Sequence, residues 1–306
     1  MKRPFQSRGA ALMLSLWALF LLSAMVISWA LDIDSRLALS GNANRVLAAE
    51  AMAASGTEVA VALVALHPDT APSSPNLHKK MGDRESYEVG VTGEGGRLNL
   101  NWLTQPENPV KVGILRRYLE LKGIELNDRD TMIDSLLDWV SPNTGLRRLN
   151  APPESDDYHP PHAGRLNSVD ELKNVFGWAE FTSNPGWDED FTIDSSGPID
   201  PAWASRDVLR ALGIGDDVVD RFLQLRRGSD GIDGTADDLQ FINWPADVPN
   251  ALGLTPQQFE ALGALIGPSN VFRIMSVGRS GDVTRSVRMI VQKGGSPPKV
   301  ISWKEI

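Results

Sequence analysis

Asp230-Gly231-Ile232-Asp233-Gly234-Thr235-Ala236-Asp237-Asp238 is the densest set of hard oxygen donors in this sequence. Short carboxylates separated by glycines can fold around one ion, and calcium takes about six to eight such oxygens from side chains and backbone carbonyls. The spacing is not that of an EF-hand, since Ile232 stands at the third position and no glutamate at the twelfth. Two readings follow: a structural calcium held by Asp230, Asp233, Asp237 and Asp238, or an acidic solvated turn that caps a helix. Asp138 with Asp156 and Asp157 is a second candidate set, and it needs the chain to fold back on itself. Asp188, Glu189 and Asp190 read more simply as an exposed acidic loop. His159 and His162 flank Pro160-Pro161 near Asp156 and Asp157 and are zinc donors by type, but such a proline pair is ordinarily a rigid surface connection.

Signals for catalysis are poor. The sequence has no Gly-x-x-x-x-Gly-Lys loop, no His-Glu-x-x-His and no Gly-x-Ser-x-Gly, so ATP hydrolysis, zinc proteolysis and serine hydrolysis lack their minimal parts. Zero cysteines exclude disulfides, thiolate metal sites and a cysteine nucleophile. Leu212-Gly213-Ile214-Gly215 has the form of a helix-hairpin-helix turn, whose free amides bind a nucleic-acid phosphate. Asp216 and Asp217 follow it at once and repel a phosphate, which favours a plain interhelical turn that needs glycine for its backbone angles. The net charge of −9 also argues against a broad grip on nucleic acid.

The elements that carry these loops begin with an apolar segment. Residues 10–31 hold no charge and make a helix about 33 Å long, matched to a bilayer's hydrocarbon core of about 30 Å. Lys2, Arg3 and Arg8 precede it, and Asp32 and Asp34 follow, so the positive-inside bias keeps the short N-terminus cytoplasmic and the remainder exported. A cleaved secretory signal is the rival, with Ser28-Trp29-Ala30 as its cleavage site, but the apolar run is too long for one. The helical pattern then continues without proline to residue 66, and Val46, Ala49, Ala53, Gly56, Ala60 and Leu63 form a narrow stripe of mostly small residues along one face. The expectation is one helix over residues 10–66, half membrane span and half core helix.

Beyond a Pro/Ser break at residues 68–75, residues 86–91 and 97–101 read as short strands about Gly93-Glu94-Gly95-Gly96. Residues 272–277 and 283–292 alternate about a Gly278-Arg279-Ser280-Gly281-Asp282 turn, and a last strand is expected at residues 299–303. Between these strands lie two related helical units, residues 114–123 with 132–140 and residues 208–213 with 218–225, which align through Asp134 and Asp220. Strands before and after with helices between make the middle an insertion in a sheet domain. Six tryptophans in or beside it, Trp102, Trp139, Trp178, Trp187, Trp203 and Trp244, read as core anchors.

A short basic leader ending in Gly9, followed by an apolar helix that runs into a globular head, resembles the type IV pilin and pseudopilin class. The resemblance implies cleavage by a prepilin peptidase between Gly9 and Ala10 and N-methylation of the new terminus. Loss of Lys2, Arg3 and Arg8 then moves the formal charge from −9 to −12. Most members carry a glutamate at the fifth mature position, where Leu14 stands here. A carboxylate among apolar helices is costly without a cation, and in these filaments it pairs with a neighbour's amino terminus. An apolar residue there suits a subunit with no neighbour in that direction, at the filament tip.

The missing glutamate is similar to the K-type minor pseudopilins of type II secretion. So are Gly96-Arg97-Leu98-Asn99-Leu100-Asn101, the Leu136-Leu137-Asp138-Trp139 block, Ser155-Asp156-Asp157-Tyr158 and Asn167-Ser168-Val169-Asp170-Glu171-Leu172, in that order. The resemblance implies an α+β, type IV pilin-like fold: a long N-terminal transmembrane helix on an antiparallel sheet, with a large inserted all-α domain. Its expected parts are a leader at 1–9, a span at 10–31, a pilin-like domain at 32–102 and 268–306, and the insertion at 103–267. It also implies bound calcium, a single-pass inner-membrane subunit with a periplasmic head, and a non-enzymatic role initiating and capping a pseudopilus. The expected partners are I-type and J-type minor pseudopilins, other pseudopilins and the inner-membrane platform. The alternative is a membrane-anchored DNA receptor of an uptake apparatus, using the Leu212–Gly215 turn.

Overall fold

The structure, a computed structural model, describes residues 8–67, 71–143, 147–235, 237–295 and 297–306, without the side chains of residues 8–10 and 38. Residues 1–7 of the expected leader, the start of the Pro/Ser break at 68–70 and Ala236 lie outside the described residues. In chain order the elements are α1 (Arg8–Leu66), β1 (His78–Met81), β2 (Glu85–Gly93), β3 (Leu98–Asn99), α2 (Leu100–Thr104), α3 (Pro109–Leu121) and α4 (Leu126–Val140). There follow α5 (Ala179–Ser183), β4 (Phe191–Thr192), α6 (Arg206–Ala211), α7 (Asp216–Arg226), α8 (Trp244–Leu252) and α9 (Pro256–Leu262). The chain closes with β5 (Val271–Ser280), β6 (Val283–Gln292) and β7 (Lys299–Glu305).

The fold is mixed helix and sheet. A five-stranded antiparallel sheet of order β1-β2-β5-β6-β7 joins the strands that precede the helices to those that follow them. β2 alternates buried and exposed side chains as period-two packing requires. Tyr87, Val89, Val91, Phe272, Ile274, Met289 and Val291 line one face, where they meet Ala60 and Val64 of α1 in a single apolar cluster. The small-residue stripe is the reason α1 lies flat on this face: Ala49, Ala53, Gly56 and Ala60 are all buried, while Val46 and Leu63 at its ends are half-buried. Two glycines set the closeness of the approach. A Cβ on Gly56 would strike Ser276 Oγ, and one on Gly278 would strike the Ala49 carbonyl oxygen.

Two strand expectations are corrected, and one strand has no signal in the sequence. The turn expected at Gly278–Asp282 narrows to Gly281-Asp282, because Gly278, Arg279 and Ser280 continue β5 in register with β6. Residues 97–101 do not form a strand beside β2. Both neighbours of β2 are taken, by β1 and β5, so Leu98 and Asn99 pair in parallel with Phe191 and Thr192 in a separate two-stranded sheet, and Gly93-Glu94-Gly95-Gly96 is a buried 3-10 turn. β1, His-Lys-Lys-Met, has every side chain exposed and so carries no alternation to find.

The segment between α2 and α9 has its own core, built on Tyr118, Trp178, Phe191 and Phe222 with Leu98, Leu100 and Leu103. Its two helix pairs, α3 with α4 and α6 with α7, lie where two units were expected, and α3 packs against α6. Their starts are fixed locally. Asn108 with Pro109 caps α3, Ser205 caps α6 and Thr255 makes a capping box with Gln258 on α9. Trp178 is fully buried, with its Nε1–H donated to the Met132 carbonyl at 2.9 Å.

Candidate functional site

The functional geometry of this chain starts with α1, the one helix among the described residues long and apolar enough to cross a membrane. Every residue from 11 to 37 is exposed, and burial begins only near Gly41. Its free half is therefore a surface of Leu, Val, Ile, Phe and Trp that water does not solvate well, which gives it two outlets: a bilayer or other apolar helices. Leu14 lies in this half, 70% exposed with Leu12, Met13 and Leu16 around it, and among the described residues the stretch from 11 to 31 that surrounds it carries no charge. Gly9 and Ala10 fall within α1, and their side chains are outside the described residues. Where α1 reaches the sheet, a groove of about 550 Å³ runs beside it, lined by Leu47, Ala51, Ala54, Val287, Trp303 and Ile306.

The helical segment is joined to the sheet through a buried ionic hub. Arg273 lies on β5 between Phe272 and Ile274, so alternation turns it to the face away from α1. It donates from Nε and Nη2 to both Glu94 carboxylate oxygens, at 2.7 and 2.6 Å. Arg97 adds a third donor at 3.2 Å, and the Thr192 hydroxyl a fourth. Glu94 is fully buried, and such a charge is tolerable only when its lone pairs are answered in this way. Burial pushes Arg97 below the usual guanidinium range against the pull of Glu94, and burial followed by Glu94 raises the Asp194 carboxyl. Beside the hub, Arg288 and Lys304 of the sheet reach Asp188 and Asp170 of the helical segment at 3.7 and 3.2 Å around a polar cavity of about 280 Å³.

Two further pins close this seam. Asp200, nearly fully buried, accepts from Trp244 Nε1 at 2.9 Å, Ser269 N at 2.8 Å and Ala202 N at 3.1 Å, and burial raises its carboxyl. Trp203 fits against Gly93 and Gly96, where a Cβ on either glycine would strike it, and packs edge-on to Phe272. Sequence reasoning missed Glu94, Arg273 and Asp200. The available signal was a lone charge inside an apolar strand, at Arg273, with a glutamate between glycines at the end of another. Of the acidic loop expected to be exposed, Glu189 is exposed and Asp188 and Asp190 are half-buried and paired. Asp188 meets Arg288, the Glu189 carbonyl accepts from Arg97, and Asp190 accepts from the Tyr118 hydroxyl at 2.9 Å.

The expected calcium ligands sit on one loop, but not around one point. Asp233 is engaged by Arg226 and Arg227 at 3.1 and 3.0 Å, and Arg226 in turn caps the Pro201 and Ala204 carbonyls. Asp230 accepts from Ile232 N. Asp237 takes the Ser229 hydroxyl, the Thr235 hydroxyl and two loop amides, which hold its carboxyl well below the usual range, and Asp238 takes Gly234 N and Thr235 N. Thr235 Oγ1 lies 2.8 Å from Asp237 and 3.4 Å from Asp238, so these two carboxylates do share a neighbour. Among the described residues no three acidic or histidine side chains are grouped to hold a metal. That applies equally to the second set: Asp138 is buried at the end of α4, while Asp156 and Asp157 are exposed in the following loop.

At the Leu212–Gly215 turn, Gly213 takes a left-handed φ of 89°. Arg210 is paired with Asp216 and Arg206 with Asp220 at 2.6 Å, while Arg117 donates to the Ala211 carbonyl beside the turn, so these arginines are already engaged within the chain.

No family model matches this chain, and no curated protein sequence does. Among solved structures, the fold is similar to a chain of the GspK-GspI-GspJ complex from the enterotoxigenic Escherichia coli type 2 secretion system. The TM-score is 0.62 at 13% identity, and the likeness covers 89% of this chain and 99% of the other. At that identity the likeness is one of fold.

Proposed function

We propose that this protein is the K-type minor pseudopilin of a type II secretion system, a non-enzymatic subunit that initiates and caps the pseudopilus. The observation that carries the reading is the joint architecture: a helix half free and apolar, half sunk into an antiparallel sheet, and a helical segment inserted between the sheet's strands. The shared fold of a chain from a secretion complex supports it. In this reading the free half of α1 spans the inner membrane with the head in the periplasm, after a prepilin peptidase removes residues 1–9. The same surface then meets the helices of I-type and J-type minor pseudopilins, other pseudopilins and the inner-membrane platform. Leu14 spares the tip subunit an unanswered carboxylate, and the bulk of the helical segment stops addition above it.

Leu14→Glu tests the tip assignment. It is expected to lower co-purification with the I-type and J-type subunits and to reduce secretion, and unchanged assembly and secretion would remove the claim. A structural calcium in the residue 228–239 loop is a separate proposal. It is supported by the hard-oxygen donor set and by the Thr235 contact shared by Asp237 and Asp238. Millimolar calcium is expected to raise the Tm of the wild type and not of the Asp237→Asn, Asp238→Asn double variant. Equal shifts, or none in the wild type, would dismiss it.

A further inference from the structure

His162 holds a position that hydrogen-bond chemistry resolves. Its ring, largely buried, bridges two acceptors: Nδ1 lies 2.9 Å from the carbonyl oxygen of Ser141, the C-cap of α4, and Nε2 lies 3.1 Å from Glu154 Oε1. A carbonyl oxygen only accepts, and so does an ionised carboxylate. A neutral imidazole has one N–H and satisfies one of them, leaving a lone pair facing an oxygen at the other. Both contacts together require the doubly protonated ring. The backbone adds a constraint, for His162 has φ 49°, a left-handed conformation unusual outside glycine, between Pro160-Pro161 and Gly164 at φ 78°.

We propose that His162 is a proton-operated clasp: as imidazolium it ties the end of α4 to the Glu154 loop, and loss of its proton frees that loop. The ionisable groups around it are Glu154, Asp138 on α4, and His159 on the far side of Glu154 at 3.6 Å; Arg148 is drawn instead to Asp138, Asp134 and Glu107. Burial opposes the charged ring, but Glu154, the Ser141 carbonyl and Asp138 outweigh it and raise the proton affinity above the ordinary histidine value. The clasped loop carries Tyr158, which packs between Trp139 and Phe176 with ring centroids 6.1 and 6.0 Å away. Opening therefore uncovers an aromatic surface next to the α4 terminus. The sign follows from linkage: the clasp is fully closed below about pH 6.5, the ordinary histidine value, and is lost as pH rises through the higher folded-state value.

The test is a histidine nitrogen NMR titration of the full chain in detergent, with hydrogen exchange over residues 151–163 across the same pH range. His162 is expected to show two protonated nitrogens at pH 6, to titrate above the ordinary histidine value, and to shift its midpoint down by about one unit, a tenfold change in proton affinity, in Glu154→Gln. Exchange, corrected for its intrinsic pH dependence, is expected to rise through the wild-type midpoint. A single-tautomer neutral ring at pH 6, or a midpoint and exchange profile unmoved by Glu154→Gln, would overturn the proposal. The wild-type spectrum alone decides the first point, so it does not depend on any variant folding.

Discussion

The sheet has two seams made on opposite principles. Against α1 it is dry and close: alanines and Gly56 face Val, Ile and Met, and Gly278 lets the helix backbone lie on the strand. Against the helical segment it is polar, with Glu94 gripped by two arginines, Asp200 gripped by three N–H donors, and a tryptophan wedged on glycines. The first seam is enforced by shape and depends on what is missing from a side chain. The second is enforced by pairing and depends on every partner being present. An added methyl should harm the first and a removed charge the second.

The largest effect is expected at the polar seam. Arg273→Ala leaves Glu94 buried with Arg97 as its only cation, and breaking such a pair costs about 3–5 kcal/mol, read as a shift in the chemical-denaturation midpoint of the full chain in detergent. A loss under about 1 kcal/mol would mean that the hub is not as dry as Glu94's burial indicates. Gly278→Ala asks the converse question of the apolar seam. One methyl driven against the Ala49 and Ala53 backbone is expected to cost about 1–3 kcal/mol by overpacking, and a neutral outcome would show that α1 can lift off the strand. Asp200→Asn is expected to cost about 1–3 kcal/mol, because its amide nitrogen must face either Ser269 N–H or the Trp244 and Ala202 donors.

The exposed pair Glu107–Arg148 sets the scale for these numbers. Glu107→Gln is expected to cost under about 1 kcal/mol. Arg148 holds the Glu107 carboxyl below its ordinary value, so that contribution is present above about pH 4.5 and disappears as pH falls through the lowered folded-state value. An effect as large as that of Arg273→Ala would erase the distinction between buried and exposed pairing.

The apolar seam was legible in the sequence. Three-and-four spacing over Ala49, Ala53, Gly56 and Ala60 gives the helix face, and the apolar and polar alternation of residues 272–277 and 283–292 gives β5 and β6; β7 is exposed along almost all of its length and keeps no such trace. The polar seam was not. Glu94 meets Arg273 across 179 positions, and Leu98 finds its strand partner at Phe191, so neither leaves a local pattern. The acidic loop shows a third case. Its carboxylates are plain in the sequence, but the arginines that claim Asp233 lie in the preceding helix and at its C-cap, where charge spacing alone does not reveal them.

The central claim, that α1 is a processed pseudopilin helix and not a signal or a permanent anchor, has a direct readout in the mass of the mature N-terminus. The chain is expressed with a prepilin peptidase, purified intact from the membrane and measured by mass spectrometry with N-terminal peptide sequencing. The account expects a chain that begins at N-methylated Ala10. A chain that begins at Leu31, or one that retains residues 1–9 when the peptidase is active on a control substrate, would contradict it.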